Sequence, residues 1–257
     1  MTHSTSPPSS ILVDVELPDP EPLSPALIEG VAPLRVVLLG WFAVPEQTSP
    51  AQARDQFREE TQATLDAIAR RFEEAGIEVT VRLVFTGNKL DTITRISTEE
   101  ACDAVLIPGE MEELRRVLVP LRGLENVHQI APFVADLCRE TTATVTLLHV
   151  VEKGETKGTP RADVLKPAAA RMRDHGLDPG LLEFDVMEAD DPAATIVDRA
   201  SEYDLVVLGE TQPSVRDILF GTVPERIVTT TDVPVIVVRH DDEDIESAER
   251  ATQAGSS

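Results

Sequence analysis

From Arg116 to Val238 the sequence alternates five short apolar runs with four stretches of helical periodicity, and very few folds accept that alternation. The runs are Arg116–Leu121, Ala143–Val151, Leu181–Met187, Asp204–Leu208 and Val233–Val238. They are rich in valine and leucine with little polar alternation, as strands buried on both faces must be. Between them, Asn126–Thr141 sets Val127, Ile130, Val134, Leu137 and Cys138 on one helical face, and Arg161–His175 forms a second helix that Gly176 ends. A third runs from Asp191-Pro192 to Glu202 with Ile196, Val197 and Ala200 inward, and Pro224 opens a fourth. The pattern predicts an α/β fold built on a doubly wound parallel sheet, flavodoxin-like or Rossmann-like.

The same order is visible once before. Ser10–Val15, Leu34–Phe42, Ile77–Phe85 and Asp103–Pro108 read as strands. Ala51–Ala75 is the strongest helix of the chain, with Phe57, Leu65, Ile68 and Phe72 on one face, and Leu90–Ala101 is a shorter one. Leu23–Val31 holds a turn or two of helix after a proline-rich break. Laid on the second half, SILVDV matches RVLVPL, LRVVLLGWF matches ATVTLLHVV, and DAVLIPG matches DLVVLGE. After Pro108-Gly109 the first copy has no counterpart of the last loop, helix and strand. The expected organisation is a disordered N-terminus (1–9), a truncated domain (10–110), a complete domain (114–240) and an acidic disordered tail (241–257).

Charge restricts the partners. The 257 residues carry a formal charge of −23, and among 23 basic residues only Lys89, Lys153, Lys157 and Lys166 are lysine. Acidic, lysine-poor chains are typical of cytosolic proteins from salt-in halophiles, where molar salt screens self-repulsion. Nucleic-acid backbone and anionic membrane are poor partners for such a surface. No run is long and apolar enough to span a bilayer, and residues 1–10 lack the basic-then-apolar pattern of a signal peptide, so a cytoplasmic location is expected. Cys102 and Cys138 lie far apart in apolar surroundings and read as core residues.

Tyr203–Arg239 combines strand, glycine loop, helix and strand, with Gly209 at the start of the loop and Gly221-Thr222 at its end. Free N–H groups and a helix N-terminus there would face one point, the arrangement that holds an anion. This stretch, with VLVPLRGLE, TLLHVV, FGTVPERI and VPVIVV, resembles the universal stress protein family, and Arg115–Arg239 covers one whole domain of it. Residues 10–108 resemble a degenerate second copy, and the whole chain resembles tandem members of acidic haloarchaeal type. The resemblance implies a stress-related regulatory or interaction module, a nucleotide such as ATP as ligand, and dimerisation through the last strand (Val233, Val235, Val237) or pairing of the two halves.

Carried over by residue, the resemblance implies a nucleotide or anion site made by Pro120, Arg122, Val151, Gly209, Gly221, Thr222 and Val223. Three positions depart from the family pattern. The middle glycine of Gly-x2-Gly-x9-Gly-Ser/Thr falls at Gln212 or Pro213, the serine after Gly-Thr-Val is Pro224, and the acid after the first strand is Arg122. Proline at the middle position removes a donor and fixes φ. Arg122 either supplies a new anion contact or pairs with an acid such as Glu125 or Glu210 and closes the pocket. Thr222 either caps the last helix with Glu225, as in a capping box, or caps it and binds an anion as well.

The five histidines show no metal spacing, no Gly-x-Ser-x-Gly elbow or P-loop is present, and Asp190-Asp191 reads as a helix start. The leading expectation is therefore a non-enzymatic cytosolic module with a degenerate loop and no certain cofactor. The alternative is a true ATP binder using Gly209 and Gly221-Thr222.

Overall fold

The computed structural model describes residues 7–45, 47–154, 160–210, 226–227 and 230–239. In the first half β1 (Ser10–Leu17) leads through the short α1 (Pro25–Gly30) to β2 (Arg35–Ala43). The long α2 (Pro50–Glu74), β3 (Val79–Thr86), α3 (Lys89–Glu99) and β4 (Ala104–Ile107) follow. The second half runs β5 (Arg116–Pro120), α4 (Val127–Leu137), β6 (Thr144–Glu152), a π-helical turn (Arg161–Leu165) leading into α5 (Lys166–Asp174), then β7 (Leu182–Ala189), α6 (Pro192–Ala200), β8 (Leu205–Gly209) and β9 (Val235–Val238). The caps are those the sequence encodes. Ser49 and Gln52 form a reciprocal capping box before Pro50, and Asp191 accepts from Ala194 N–H to start α6. That contact is the main reason the Asp191 carboxyl titrates below its ordinary value.

All nine strands form one sheet in the order β3-β2-β1-β4-β9-β8-β5-β6-β7. Each half repeats the same local order, the first lacking the strand that β9 supplies in the second. Every pairing is parallel except one: β4 meets β9 antiparallel, with Ala104, Val105, Leu106 and Ile107 opposite Val238, Val237, Ile236 and Val235. The halves therefore run in opposite directions, and the C-terminal ends of β5 and β8 lie where β1 and β4 begin. The run Val233–Val238 is a strand only from Val235, and it is interior. Its other edge pairs with β8, so the strand expected at a dimer edge is hydrogen-bonded on both sides within the chain. Val235 and Val237 are fully buried, and Val233 packs against the same cluster.

Alternation along the strands fills both faces. Ile11, Val13, Leu38, Leu106, Val117 and Ile236 belong to one core, under α1, α2, α4 and α5. Leu12, Val37, Val105, Leu118, Val206 and Val237 belong to the other, under α3 and α6. The larger core crosses from one half to the other without a break, because Ile236 sits opposite Leu106 on one side and Val207 on the other.

Two polar clasps reinforce that junction, and a third ties β5 to β8 within the second half. Arg239, just after β9, donates to Ser97 O (3.0 Å), Cys102 O (3.1 Å) and Thr98 Oγ1 (3.0 Å), setting a cation at the negative end of α3. Ser9 donates to Asp136 Oδ2 from its amide (2.9 Å) and hydroxyl (2.7 Å). The amides of Arg115 and Arg116 both donate to Asp204 Oδ2, at 2.9 and 2.8 Å.

Both cysteines are buried in these cores, and burial pushes each thiol from 9.0 up to about 12. Arg239 and Arg35 act on Cys102 in the opposite sense but do not overcome burial. A raised folded-state value means that the thiols favour folding below pH 9.0, a contribution lost as pH rises towards about 12. Native protein at pH 8 is expected to resist iodoacetamide at both positions, and denatured protein to take up two labels. Rapid native labelling at either cysteine, read by mass spectrometry, would contradict the burial.

Candidate functional site

In an open α/β sheet, ligands lie beyond the carboxyl ends of the strands, at the point where strand order reverses. In the second half that point falls between β5 and β8, which pair through Val117–Leu205 and Leu118–Val206. Pro120 and Gly209 are the last residues of these two adjacent strands, and Arg122 follows β5 by two residues. Pro120 ends β5 opposite Leu148, and Gly209 ends β8 opposite Val238. Val151 lies on β6 beyond the end of β5, opposite Glu188 of β7, and is half-buried. Gly221, Thr222 and Val223 lie outside the described residues, as do Gln212, Pro213 and Pro224.

The chain leaving β5 is held by β6. Leu121 N–H donates to Leu148 O (2.8 Å), and His149 Nδ1 donates to Leu121 O (2.7 Å). Donation to a carbonyl places the proton of neutral His149 on Nδ1. Beyond this anchor Arg122 is exposed, and among the described residues it makes no ion pair. The expected pairing with Glu125 or Glu210 is not formed. The Glu125 carboxylate instead folds over Gly123, where a Cβ would meet its Cδ at 3.1 Å.

The floor of the crevice is tight. A Cβ on Gly209 would lie 2.7 Å from Ile130 Cδ1 and 3.0 Å from Asn126 Cβ, so glycine lets α4 press against the end of β8. Asn126 is the residue before α4, yet its side chain makes no cap bond. Its amide reaches across to the Glu210 carbonyl. Glu210 is 5% exposed, and its own amide donates to Val238 O (2.8 Å). The short signal Gly209-Glu210 thus joins three elements: β8, β9 and the start of α4.

Asn126, His149 and Glu210 were not among the sequence-derived site residues. Asn126 carried a readable sign, since asparagine before a helix is a common cap. That its amide would serve a neighbouring strand instead depends on the approach of α4 to β8. Among the described residues no group of histidine, cysteine or carboxylate side chains is placed to hold a metal. None of their helices is long and apolar enough to cross a membrane.

No curated protein sequence matches the chain closely enough to count as a relative. The universal stress protein family profile matches residues 113–239. A universal stress protein from Archaeoglobus fulgidus DSM 4304 shares the fold over 91% of this chain and 97% of its own, at 16% identity and a TM-score of 0.62. A functionally unknown protein from Pseudomonas aeruginosa PAO1 shares it over 96% of this chain and 98% of its own, at 16% identity and 0.53. A universal stress protein from Archaeoglobus fulgidus in complex with dAMP aligns with 50% of this chain and 99% of its own, at 22% identity and 0.38. The profile match covers the whole second half, so residues 113–239 form a domain of the universal stress protein family.

Proposed function

We propose that this chain is a non-enzymatic regulatory module of the universal stress type, acting in the cytoplasm on a protein partner. In this reading two family domains in tandem are fused into one body, the first of them truncated. The observation that carries it is the antiparallel β4–β9 pairing, which unites two domain-like halves in a continuous sheet. A −23 surface suits a protein partner in high salt and disfavours nucleic acid.

The crevice supports binding better than catalysis. Its described titratable groups are Arg122, Glu125, His149 and Glu210. His149 uses its Nδ1 proton to anchor Leu121, and among the described residues no nucleophile is bonded to it. The loop between Gly209 and Gly221 departs from the phosphate-holding pattern, so ATP is not expected to bind tightly. Equilibrium dialysis of ATP in molar KCl is expected to show no micromolar affinity for the wild type, with binding appearing in the Arg122→Asp, Pro213→Gly double variant. Micromolar ATP binding by the wild type, abolished by Thr222→Ala, would overturn the degenerate-loop reading.

A second reading is favoured by one observation, the exposed Arg122 guanidinium just past β5, which forms no ion pair among the described residues. It would suit the phosphate of another nucleotide or a different anion. This reading requires anion-dependent thermal stabilisation that Arg122→Ala removes.

A further inference from the structure

A nine-stranded open sheet has two outer edges, and here they are treated very differently. β7 (LEFDVMEA) carries Glu183, Asp185 and Glu188, and Asp185 is held by Arg199 at 2.9 Å. Charges of this kind keep an edge strand from pairing with another chain. At the opposite edge β3 (VTVRLVFT) has no acid and no proline over eight residues. Its pairing with β2 runs unbroken from Val36–Val79 to Ala43–Thr86, so no bulge turns the edge away. Its single charge, Arg82, is drawn back onto its own half by an ion pair with Glu100 and a bond to Val81 O (3.3 Å). The strand is β-branched and aromatic in composition, its side chains are mostly half-buried, and among the described residues no strand lies beside its outer N–H and C=O groups. In a chain of net charge −23, an eight-residue edge without an acid is the place where a second copy meets least repulsion.

We propose that two copies of this chain join edge to edge through β3, antiparallel, extending the sheet across a twofold axis. The last strand cannot serve this purpose, since both of its edges are already bonded within the chain. A twofold axis normal to the sheet requires a residue to face its own copy. Arg82 on Arg82 would repel, whereas Leu83 on Leu83 sets Val81 against Phe85 and Arg82 against Val84. β3 pairing with β7 of the next copy would bring Arg82 towards three carboxylates, but it repeats head to tail and gives an open filament in place of a closed pair. Because both copies are strongly acidic, association should strengthen with salt as the Debye length falls to about 3 Å near molar ionic strength.

Light scattering over a concentration series in molar KCl tests this. The expected mass is twice that of the chain, falling to the monomer mass in Arg82→Glu, which places a carboxylate on the edge, and unchanged in Val186→Glu on β7. Trp41 fluorescence checks that each variant is folded. Hydrogen exchange on the wild type supplies a second measurement, with the amides of residues 79–86 gaining protection as concentration rises. A monomer at every concentration, a dimer that survives Arg82→Glu, masses climbing beyond the dimer, or β3 amides indifferent to concentration would each overturn the proposal.

Discussion

Gly109→Ala is expected to lower stability by about 3 kcal/mol, the upper part of the range for forced overpacking. Gly109 begins the connection between the halves and passes directly over the entry to β9. A Cβ there would lie 2.6 Å from Pro234 N and 2.7 Å from Val233 C, closer than real Cβ contacts come. Both neighbours are backbone, so no rotamer change relieves the clash. The two segments are also joined by Glu110 N–H donating to Asp232 O at 2.6 Å, which a shift of either would break. Gly87→Ala is the control, because the nearest atom, Val44 O, is 3.6 Å from the added methyl. Equal denaturation midpoints for the two variants would show that the crossing is not tight.

Ile236→Ala is expected to cost about 2–5 kcal/mol, the usual cost of truncating a buried isoleucine. Its location makes the result diagnostic. Ile236 is fully buried and paired with Leu106 of the first half and Val207 of the second. The only tryptophan, Trp41, lies in β2, two strands beyond β4. If the shared sheet makes the halves one cooperative unit, the urea midpoint read by Trp41 fluorescence falls together with that read by circular dichroism. A Trp41 transition left in place while the second half melts earlier would mean that the halves fold separately, and the fused-module reading would fail with it.

Much of the fold was legible from residue patterns because strand and helix periods are local properties. The runs at Leu34–Phe42 and Ala143–Val151 became β2 and β6 within a residue or so, and Pro192 opens α6 behind the Asp191 cap, whereas α2 begins at Pro50, one residue before the helix read from Ala51. The helix read over Arg161–His175 begins with a π-helical turn, a hydrogen-bonding shift that the apolar spacing does not report. At the site, Pro120 and Gly209 were legible as ends of strands, and they close β5 and β8. The Asn126–Glu210 bridge and the His149–Leu121 anchor were not, because each joins residues 28 or 84 positions apart through one side chain.

The sequence by itself determined the element order and the family resemblance of the second half. These follow from runs of apolar residues and from glycines at strand ends, and both are written in consecutive residues. Only the tertiary structure decided where the surviving last strand goes. A β-branched run such as Val235–Val238 is suited to pairing on either edge, and nothing in its own residues says with what. The first half ends at β4 with an open edge and no strand of its own to cover it. β9 fills that place while still bonded to β8, and the strand expected to join two molecules instead joins two halves of one.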